Sequence, residues 1–365
     1  MKPRKAVAKQ AVPMPFFENA NIKLLVVLLA LAVLAVYANA VSGTFVWDDQ
    51  TIVVRNEAIK SFDNIPFIFT HEFGDMVNYK GNIYRPMQEL SYMLDYFLWG
   101  MDSIFFHLAN IILQIGCALA LFFLVIKVSA SKFIAFFTAL IFGIHPINTE
   151  AVTYISGRSD PLYFFFLLVS FIFYLKFKEI ASPPAGACND MREAGACNDK
   201  IGGGIFKKAV FISSSLLFFA LSLLSRETAM VFPFVLAAYE MFGLDNKRER
   251  SFYPIAPFLG ILIAYLLFRS LVVHIGSGQG ALPDFGSAIF INSKSIVKYL
   301  ALLIAPINLH MWNVTDILKE TARSQFIFNI IILAALAASV IFASRKNKKM
   351  LFWFSWVFDI SCPAS

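Results

Sequence analysis

Long apolar runs alternate with short polar segments along this chain of 365 residues. The first run, residues 22–41, has about the 20 residues that a helix needs to cross a bilayer. Further apolar runs follow at residues 104–126, 133–144, 161–175, 209–224, 229–244 and 254–273. Several of them are shorter than a full crossing and must use flanking residues or tilt little. The pattern predicts an all-α protein, a polytopic bundle of membrane helices.

Composition agrees with this prediction. Hydrophobic residues make up 58% of the chain and charged residues only 15%, so one soluble core cannot bury all the apolar surface. The net charge of +7 comes from lysines and arginines clustered between the apolar runs, which indicates cytoplasmic loops and no nucleic acid partner. The four cysteines lack the spacing of metal ligands, so we predict no zinc site and no disulfide.

The basic residues also predict an orientation. Lysines and arginines between positions 2 and 9 precede the first run, which places a tail of residues 1–21 in the cytoplasm and the following loop, residues 43–103, on the extracytoplasmic face. An alternative is a signal peptide, because Ala38-Asn39-Ala40 resembles a cleavage site. The length of the run and the many later runs favour a retained anchor in a multi-pass integral membrane protein.

The domain organisation follows from the same pattern. Residues 22–344 form one multi-span membrane domain that contains the loop 43–103. The sequence AGACND occurs twice within residues 181–206, which we interpret as a disordered cytoplasmic insertion. Residues 295–311, interrupted by Pro306, are expected to form a re-entrant or interfacial helix. Residues 345–365 are expected to form a cytoplasmic loop and the start of a truncated span.

The candidate chemistry centres on Phe45-Val46-Trp47-Asp48-Asp49, a short distance beyond the first run. Adjacent carboxylates repel each other, which raises one pKa and favours a proton acceptor near neutral pH. We therefore predict Asp48 and Asp49 as the catalytic acids, against the alternative of a solvated helix end. Alternation of the spans places ionisable residues from several later segments on the same face. These residues are Arg85, His107, His145, Glu150, Arg158, Asp160, Arg226 and Glu227.

Ionisable residues at the ends of membrane helices indicate function, since they are costly there. Arginine binds phosphate through paired hydrogen bonds, so Arg85, Arg158 and Arg226 are the candidate ligands of a donor phosphate. The remaining candidate site residues are His107, His145, Glu150, Asp160 and Glu227. In the simpler alternative, charges close in sequence neutralise each other, Arg158 with Asp160 and Arg226 with Glu227.

Several stretches of the chain occur in the order seen in one family. They are FVWDD with Asn56 after it, YRPMQELSYMLDYFLWG, FFHLANIIL, LIFGIHPINTEAVTYISGRSD, SRETAMVFPFVLAAYE and YLALLIAPINL. Over residues 20–312, outside the insertion, the chain resembles the membrane domain of the TMTC (transmembrane and tetratricopeptide-repeat containing) proteins. HPINTEAV followed by SGRSD is the most specific part of this resemblance.

The resemblance implies a GT-C-type glycosyltransferase core with its site on the periplasmic or ER-lumenal side. It further implies O-mannosylation, in which a hexose such as mannose moves from a polyprenyl-phosphate carrier to a hydroxyl of a protein or glycan. The family's acidic pair corresponds to Asp48 and Asp49. A divalent metal assists such acids in some enzymes of this type and not in others. No cofactor beyond the lipid-linked sugar donor is otherwise expected.

Two departures from the family lead to alternative interpretations. Gln114 stands where the family pattern often has histidine, and tetratricopeptide repeats do not follow the membrane domain. A truncated, inactive membrane scaffold is therefore the main alternative. A transporter is the third interpretation, but it requires polar residues in mid-span, and the apolar runs contain almost no charge.

Overall fold

The computed structural model describes residues 15–79, 82–181, 197–242, 251–273, 285–307, 328–334 and 339. These residues form α-helices joined by short 3-10 and π-helical turns, and the described part of the chain contains no strand. The α-helices, in chain order, are α1 (Pro15–Asn19), α2 (Ile22–Tyr37), α3 (Ile65–Thr70), α4 (Pro86–Trp99), α5 (Ser103–Ser129), α6 (Lys132–Ile144), α7 (Thr149–Thr153), α8 (Ser159–Ala181), α9 (Cys197–Leu223), α10 (Phe232–Phe242), α11 (Ala256–Val272) and α12 (Phe285–Ile304).

Four helical segments within the described residues are long and apolar enough to cross a membrane. They are Ile22–Ser42, Ser103–Ser129, Gly204–Leu223 and Tyr253–Val272. A fifth crossing is present if Lys132–Ile144 and Pro146–Thr153, which meet at a bend of 46°, act as one broken span. The predicted all-α polytopic membrane architecture is therefore confirmed.

Helix α2 shows how the apolar pattern divides between protein and lipid. Leu25, Leu29 and Val33 recur every fourth residue and are buried against α5 and α6, whereas Leu24 and Leu31 are exposed. Residues four apart lie on one face of a helix, so a sequence apolar on all sides presents one stripe to the bundle. The remaining apolar face fits a lipid environment.

Helix α5 lies at the centre of the bundle, packed against α2, α6 and α8, and α8 packs in turn along α9. Aromatic rings join the next layer: Phe219 of α9, Phe232 of α10 and Phe258 of α11 stand with centroids 5.4 to 5.8 Å apart. Such offset and edge contacts stabilise ring pairs beyond the burial of their area.

The segment between α2 and α5, residues 43–102, has a small core of its own. Ile52, Ile59, Ile68 and Met93 are buried together there. Helix α4 is inverted relative to a surface helix in water, since Gln88, Glu89, Tyr92 and Asp95 lie on its buried face and Leu94, Phe97 and Leu98 are exposed. We call residues 43–102 the loop segment, and the end of the bundle that it covers the site end.

At the opposite end of the bundle, lysines form ion pairs with glutamates. Lys178 of α8 donates to Glu240 of α10 at 3.0 Å, and both side chains are buried. Tyr174 donates to the other oxygen of Glu240 at 2.7 Å. Near them, Lys127 pairs with Glu179 at 2.6 Å. These contacts place the ends of α5, α8 and α10 together, away from the loop segment.

Two predicted segments differ from expectation or reach beyond the described residues. Residues 197–206 of the predicted disordered insertion are helical, as the first turns of α9. Adding a turn to an existing helix gains a hydrogen bond per residue without a new nucleus, which outweighs the glycines there. Residues 182–196, 308–327 and 340–365 lie outside the described part, and α12 accounts for residues 295–304 of the predicted re-entrant helix.

Candidate active site

A turn of the backbone immediately precedes the two adjacent acids, which differ in exposure. Trp47 has a left-handed conformation with φ of 46°, a costly geometry for a bulky residue that often marks functional sites. After this turn Asp48 is exposed, whereas Asp49 has 0% of its surface exposed. The pair therefore provides one accessible carboxylate and one enclosed carboxylate.

Asp49 is held from two directions. The backbone N–H of Val46 donates to its Oδ2 at 3.1 Å, and the backbone N–H of Ser156 donates to its Oδ1 at 2.9 Å. The Ser156 hydroxyl donates a further, short hydrogen bond to Oδ1. Burial raises the pKa of Asp49, and the hydrogen bonds from Ser156 and Val46 oppose that rise. The carboxylate is thus fixed to the segment that follows α7.

Ser156 connects Asp49 to α4. Its carbonyl accepts a hydrogen bond from Gln88 Nε2 at 2.9 Å, and the same Nε2 donates to the Tyr92 hydroxyl at 2.8 Å. The Tyr92 hydroxyl donates to the Ile155 carbonyl at 3.0 Å. A continuous buried polar network therefore sets the position of the acidic pair relative to the bundle.

Asp48 lies among tyrosines. Burial, followed by the charge of Asp48, raises the pKa of Tyr79. The charges of Asp48 and Asp49 both act on Tyr154, and burial is the main cause that raises the pKa of this tyrosine. The Trp47 ring meets the Tyr154 ring edge to face, with centroids 6.2 Å apart. Asp48 is thus an accessible acceptor bordered by aromatic side chains.

Arg158 is enclosed within the protein. Its side chain is 1% exposed, and its Nη1 lies 2.5 Å from Asp95 Oδ2. Nε donates to Asn110 Oδ1 at 2.6 Å, and Nη2 donates to the Phe106 carbonyl at 2.9 Å. The guanidinium also stands 4.7 Å from the centre of the Tyr92 ring. This geometry makes Arg158 a link between α4 and α5 and gives it no open edge for a phosphate.

Arg85 and Arg226 converge on Ser159. Arg85 Nη1 lies 3.5 Å from the Ser159 hydroxyl and Arg226 Nη1 lies 3.1 Å from it. Arg85 pairs with Glu227 through Nε at 3.2 Å and Nη2 at 3.1 Å, and Arg226 pairs with Asp160. The ion pairs form between different segments. Neither Arg158 with Asp160 nor Arg226 with Glu227 is among the described ion pairs.

The other predicted site residues surround this arrangement. His107 is buried against Gly43, next to the charge of Asp49, and neither ring nitrogen makes a well-formed hydrogen bond within the described residues. His145 Nε2 lies 3.2 Å from the Leu303 carbonyl of α12. Glu150 is exposed, within electrostatic reach of Asp160 and Arg226. The structure thus brings all the predicted residues to the site end.

Several structural polar residues were not singled out from the sequence. Besides Ser156, they include Asp95, Asn110 and Glu89, and Glu89 accepts hydrogen bonds from Asn56 Nδ2 and the Gly74 N–H, both at 3.1 Å. Burial raises the pKa of Glu89 to about 7, with a further rise from nearby Asp75. For Glu89 and Asp95 the signal in the sequence is a polar stripe at positions 88, 89, 92 and 95, one face of a helix.

No three His, Cys, Asp or Glu side chains converge within the described part of the chain. Both oxygens of Asp49 already accept hydrogen bonds from Val46 and Ser156.

Several protein O-mannosyl-transferases are among the known proteins similar in sequence to this chain. Human protein O-mannosyl-transferase TMTC1 is 33% identical over 232 residues, which is 61% of this chain and 24% of that protein. The TMTC1 of Mus musculus is 30% identical over 230 residues, and human TMTC2 is 32% identical over 147. The chain spans about a quarter of the length of the first of these relatives. No family model and no solved structure matches it. By sequence, the chain is therefore related to the TMTC proteins.

Proposed function

We propose that this chain forms the membrane part of a GT-C-type glycosyltransferase. In this proposal it transfers mannose from a polyprenyl-phosphate carrier to a serine or threonine hydroxyl of a protein, on the extracytoplasmic face. The similarity to protein O-mannosyl-transferases supports the reaction class. The lipid-linked donor is supported by arginines and carboxylates collected where membrane helices end.

The reaction divides into two tasks. Asp48 accepts the proton of the acceptor hydroxyl as its oxygen attacks the anomeric carbon of the sugar. The bond between that carbon and the phosphate oxygen breaks, and polyprenyl phosphate leaves with the bonding electrons. Arg85 and Arg226 bind the phosphate and stabilise the charge that develops on it. Asp49 touches no substrate in this scheme and acts as a positioning residue for Asp48.

The observation that carries the proposal is how few residues separate the segment that holds the acidic pair from the segment that holds the two arginines. Ser156 binds Asp49, and Ser159 binds Arg85 and Arg226. The 3-10 helix Ile155–Arg158 joins them, and with a rise of about 2 Å per residue it separates Ser156 from Ser159 by roughly 6 Å. One sugar can then lie between proton acceptor and phosphate.

Turnover by the purified chain in proteoliposomes tests the proposal, with polyprenyl-phosphate mannose and a serine- and threonine-rich peptide. Asp48→Asn should lower turnover by about 10² to 10⁴ while the KM for donor changes little, because general-base catalysis acts in the transition state. Asp49→Asn should lower turnover too, since the amide cannot accept all of the same hydrogen bonds.

Asp63→Asn is the matched control, since Asp63 is an exposed acid of the same loop segment. Near-normal turnover in both Asp48→Asn and Asp49→Asn would refute the catalytic assignment. A wild-type protein that binds donor and never transfers mannose would favour the inactive scaffold, whereas donor-independent solute flux would favour the transporter.

A further inference from the structure

Arg269 lies in the last turn of α11, at the site end, and no sequence argument singled it out. Its Nη2 donates to the Asn82 carbonyl of the loop segment at 3.1 Å. Its Nε is buried and has no hydrogen-bond partner among the described residues. The described residues also provide no carboxylate within 4 Å of this guanidinium.

The other arginines of the site end that are not exposed differ in this respect. Arg85, Arg158 and Arg226 each pair with a carboxylate, of Glu227, Asp95 and Asp160 respectively. Within the described part of the chain, Arg269 is therefore the partly buried arginine of this end that has no carboxylate partner, whereas Arg55 is exposed to solvent. An uncompensated cation at the end of a membrane helix is costly, unless an anion joins it.

Tyr265, one helical turn before Arg269, adds a second observation. Residues four apart lie on one face of a helix, so both side chains project from the same side of α11. Tyr265 is 7% exposed, and its hydroxyl has no hydrogen-bond partner among the described residues. The charges of Glu227, Arg269 and Arg85 all act on that hydroxyl, so it lies near the Arg85–Glu227 pair as well as near Arg269.

The Arg269 Nε–H and the Tyr265 hydroxyl, which lack partners among the described residues, are both hydrogen-bond donors. A guanidinium offers N–H groups and no acceptor, and a tyrosine hydroxyl can donate its proton. Their natural partner is an anion with several acceptor oxygens, and arginine suits the geometry of phosphate. Beside Arg269 the surface of α11 is apolar and exposed, with Leu266 and Phe268 each 42% exposed. Such a surface leaves a hydrocarbon chain in the bilayer while the headgroup reaches Arg269.

We propose that Arg269 and Tyr265 bind the phosphoryl anion of a lipid beside the Arg85–Glu227 pair. The anion comes from the polyprenyl-phosphate carrier or from a membrane phospholipid. If the anion is that of the carrier, the inference rests on the proposed function and extends it, since it adds two residues of α11 to the donor site.

Equilibrium binding of radiolabelled polyprenyl phosphate to the purified full-length chain, in neutral nanodiscs of phosphatidylcholine, tests this inference. Arg269→Gln should weaken binding about tenfold or more, and Arg269→Lys should recover part of it. Tyr265→Phe removes one oxygen and should weaken binding about threefold, with little risk to folding. Arg55→Gln, at an exposed arginine of the loop segment, is the matched control and should bind as wild type.

Competition separates the two sources of the anion. If the carrier is the ligand, excess phosphatidylglycerol displaces little polyprenyl phosphate, and uncharged polyprenol does not bind. If a phospholipid is the ligand, phosphatidylglycerol competes fully, and Arg269→Gln loses co-purified anionic lipid. Unchanged binding of both lipids in Arg269→Gln and Tyr265→Phe would overturn the inference.

Mannosyl transfer is measured separately on the same preparations. Carrier binding that depends on Arg269, together with no transfer by wild type, would refute the proposed function and leave the inference intact. Mannosyl transfer with an unchanged KM for donor in Arg269→Gln and Tyr265→Phe would support the proposed function. It would refute the binding of the carrier by Arg269 and Tyr265.

Discussion

At the scale of single residues, the partners of the charges decide what each charge can do. Arg158 pairs with Asp95 and is closed off, whereas Arg85 and Arg226 share Ser159 and keep part of their surface exposed. Asp49 is fixed by Ser156, and Asp48 beside it is open. Residues of the same type at one site thus have different roles: the enclosed ones hold other groups in position, and the accessible ones can contact a substrate.

We expect Arg158→Met to destabilise the protein by about 3–5 kcal/mol, because it leaves the Asp95 carboxylate in place without its partner. The thermal midpoint in detergent measures this effect. Replacing both partners, with Arg158→Met and Asp95→Leu together, should restore part of the loss.

Donor affinity distinguishes this role from direct phosphate binding. In folded Arg158→Met protein, the KM for donor should stay within about threefold of wild type, since the guanidinium faces the protein interior. A stable Arg158→Met protein with a large loss of donor affinity would restore Arg158 as a phosphate ligand.

At the scale of helices, small residues allow the close approach of α2 and α6. A Cβ atom on Gly143 would stand 2.7 Å from Val33 Cγ2 of α2 and 3.3 Å from the Ala118 Cβ of α5. Membrane helices lack a hydrophobic force between them, so close packing of small residues contributes much of their association. Tyr37 of α2 also reaches the His145 carbonyl at 3.5 Å, near the end of α6.

Gly143→Ala should therefore destabilise the protein by about 1–3 kcal/mol, the usual effect of overpacking. Gly260→Ala on α11 is the matched control, because a Cβ there meets nothing within 4 Å, and it should be neutral or slightly stabilising. Adding Val33→Ala to Gly143→Ala should restore stability. Equal thermal midpoints for the two glycine variants would contradict this packing argument.

At the scale of the whole molecule, opposite ends carry different chemistry. The site end gathers arginines with carboxylates around the loop segment, and the other end gathers lysines such as Lys127 and Lys178. The excess of basic residues on the cytoplasmic side is the usual determinant of orientation. On that rule we predict that the site end faces away from the cytoplasm.

A labelling experiment tests the orientation. With the native cysteines replaced by serine, Arg55→Cys marks the site end, and Lys207→Cys, about 24 Å before the end of α9, marks the other end. In intact cells a membrane-impermeant maleimide should label Arg55→Cys, and should label Lys207→Cys only after permeabilisation. The opposite result would reverse the topology and remove the extracytoplasmic site.

The sequence by itself determined the class of the protein and the location of its candidate site. Apolar runs of sufficient length specify membrane helices because backbone groups in lipid must bond within one segment, and this requirement is local. The same pattern identified Asp48, Asp49 and the arginines as unusual, because charge is rare near such helices. Relatedness to the TMTC proteins was also visible in the order of the polar motifs.

Only the tertiary structure decided which charges pair and which remain open. Asp95 and Arg158 are far apart in sequence, as are Arg85 and Glu227, and their contacts depend on how α4, α5 and α8 pack. The helical period of α4 places its polar residues on one face, but packing alone determines that this face is buried. The uncompensated charge of Arg269 is visible only after the other arginines have found their partners, because electrostatic pairing depends on distance in space and not along the chain.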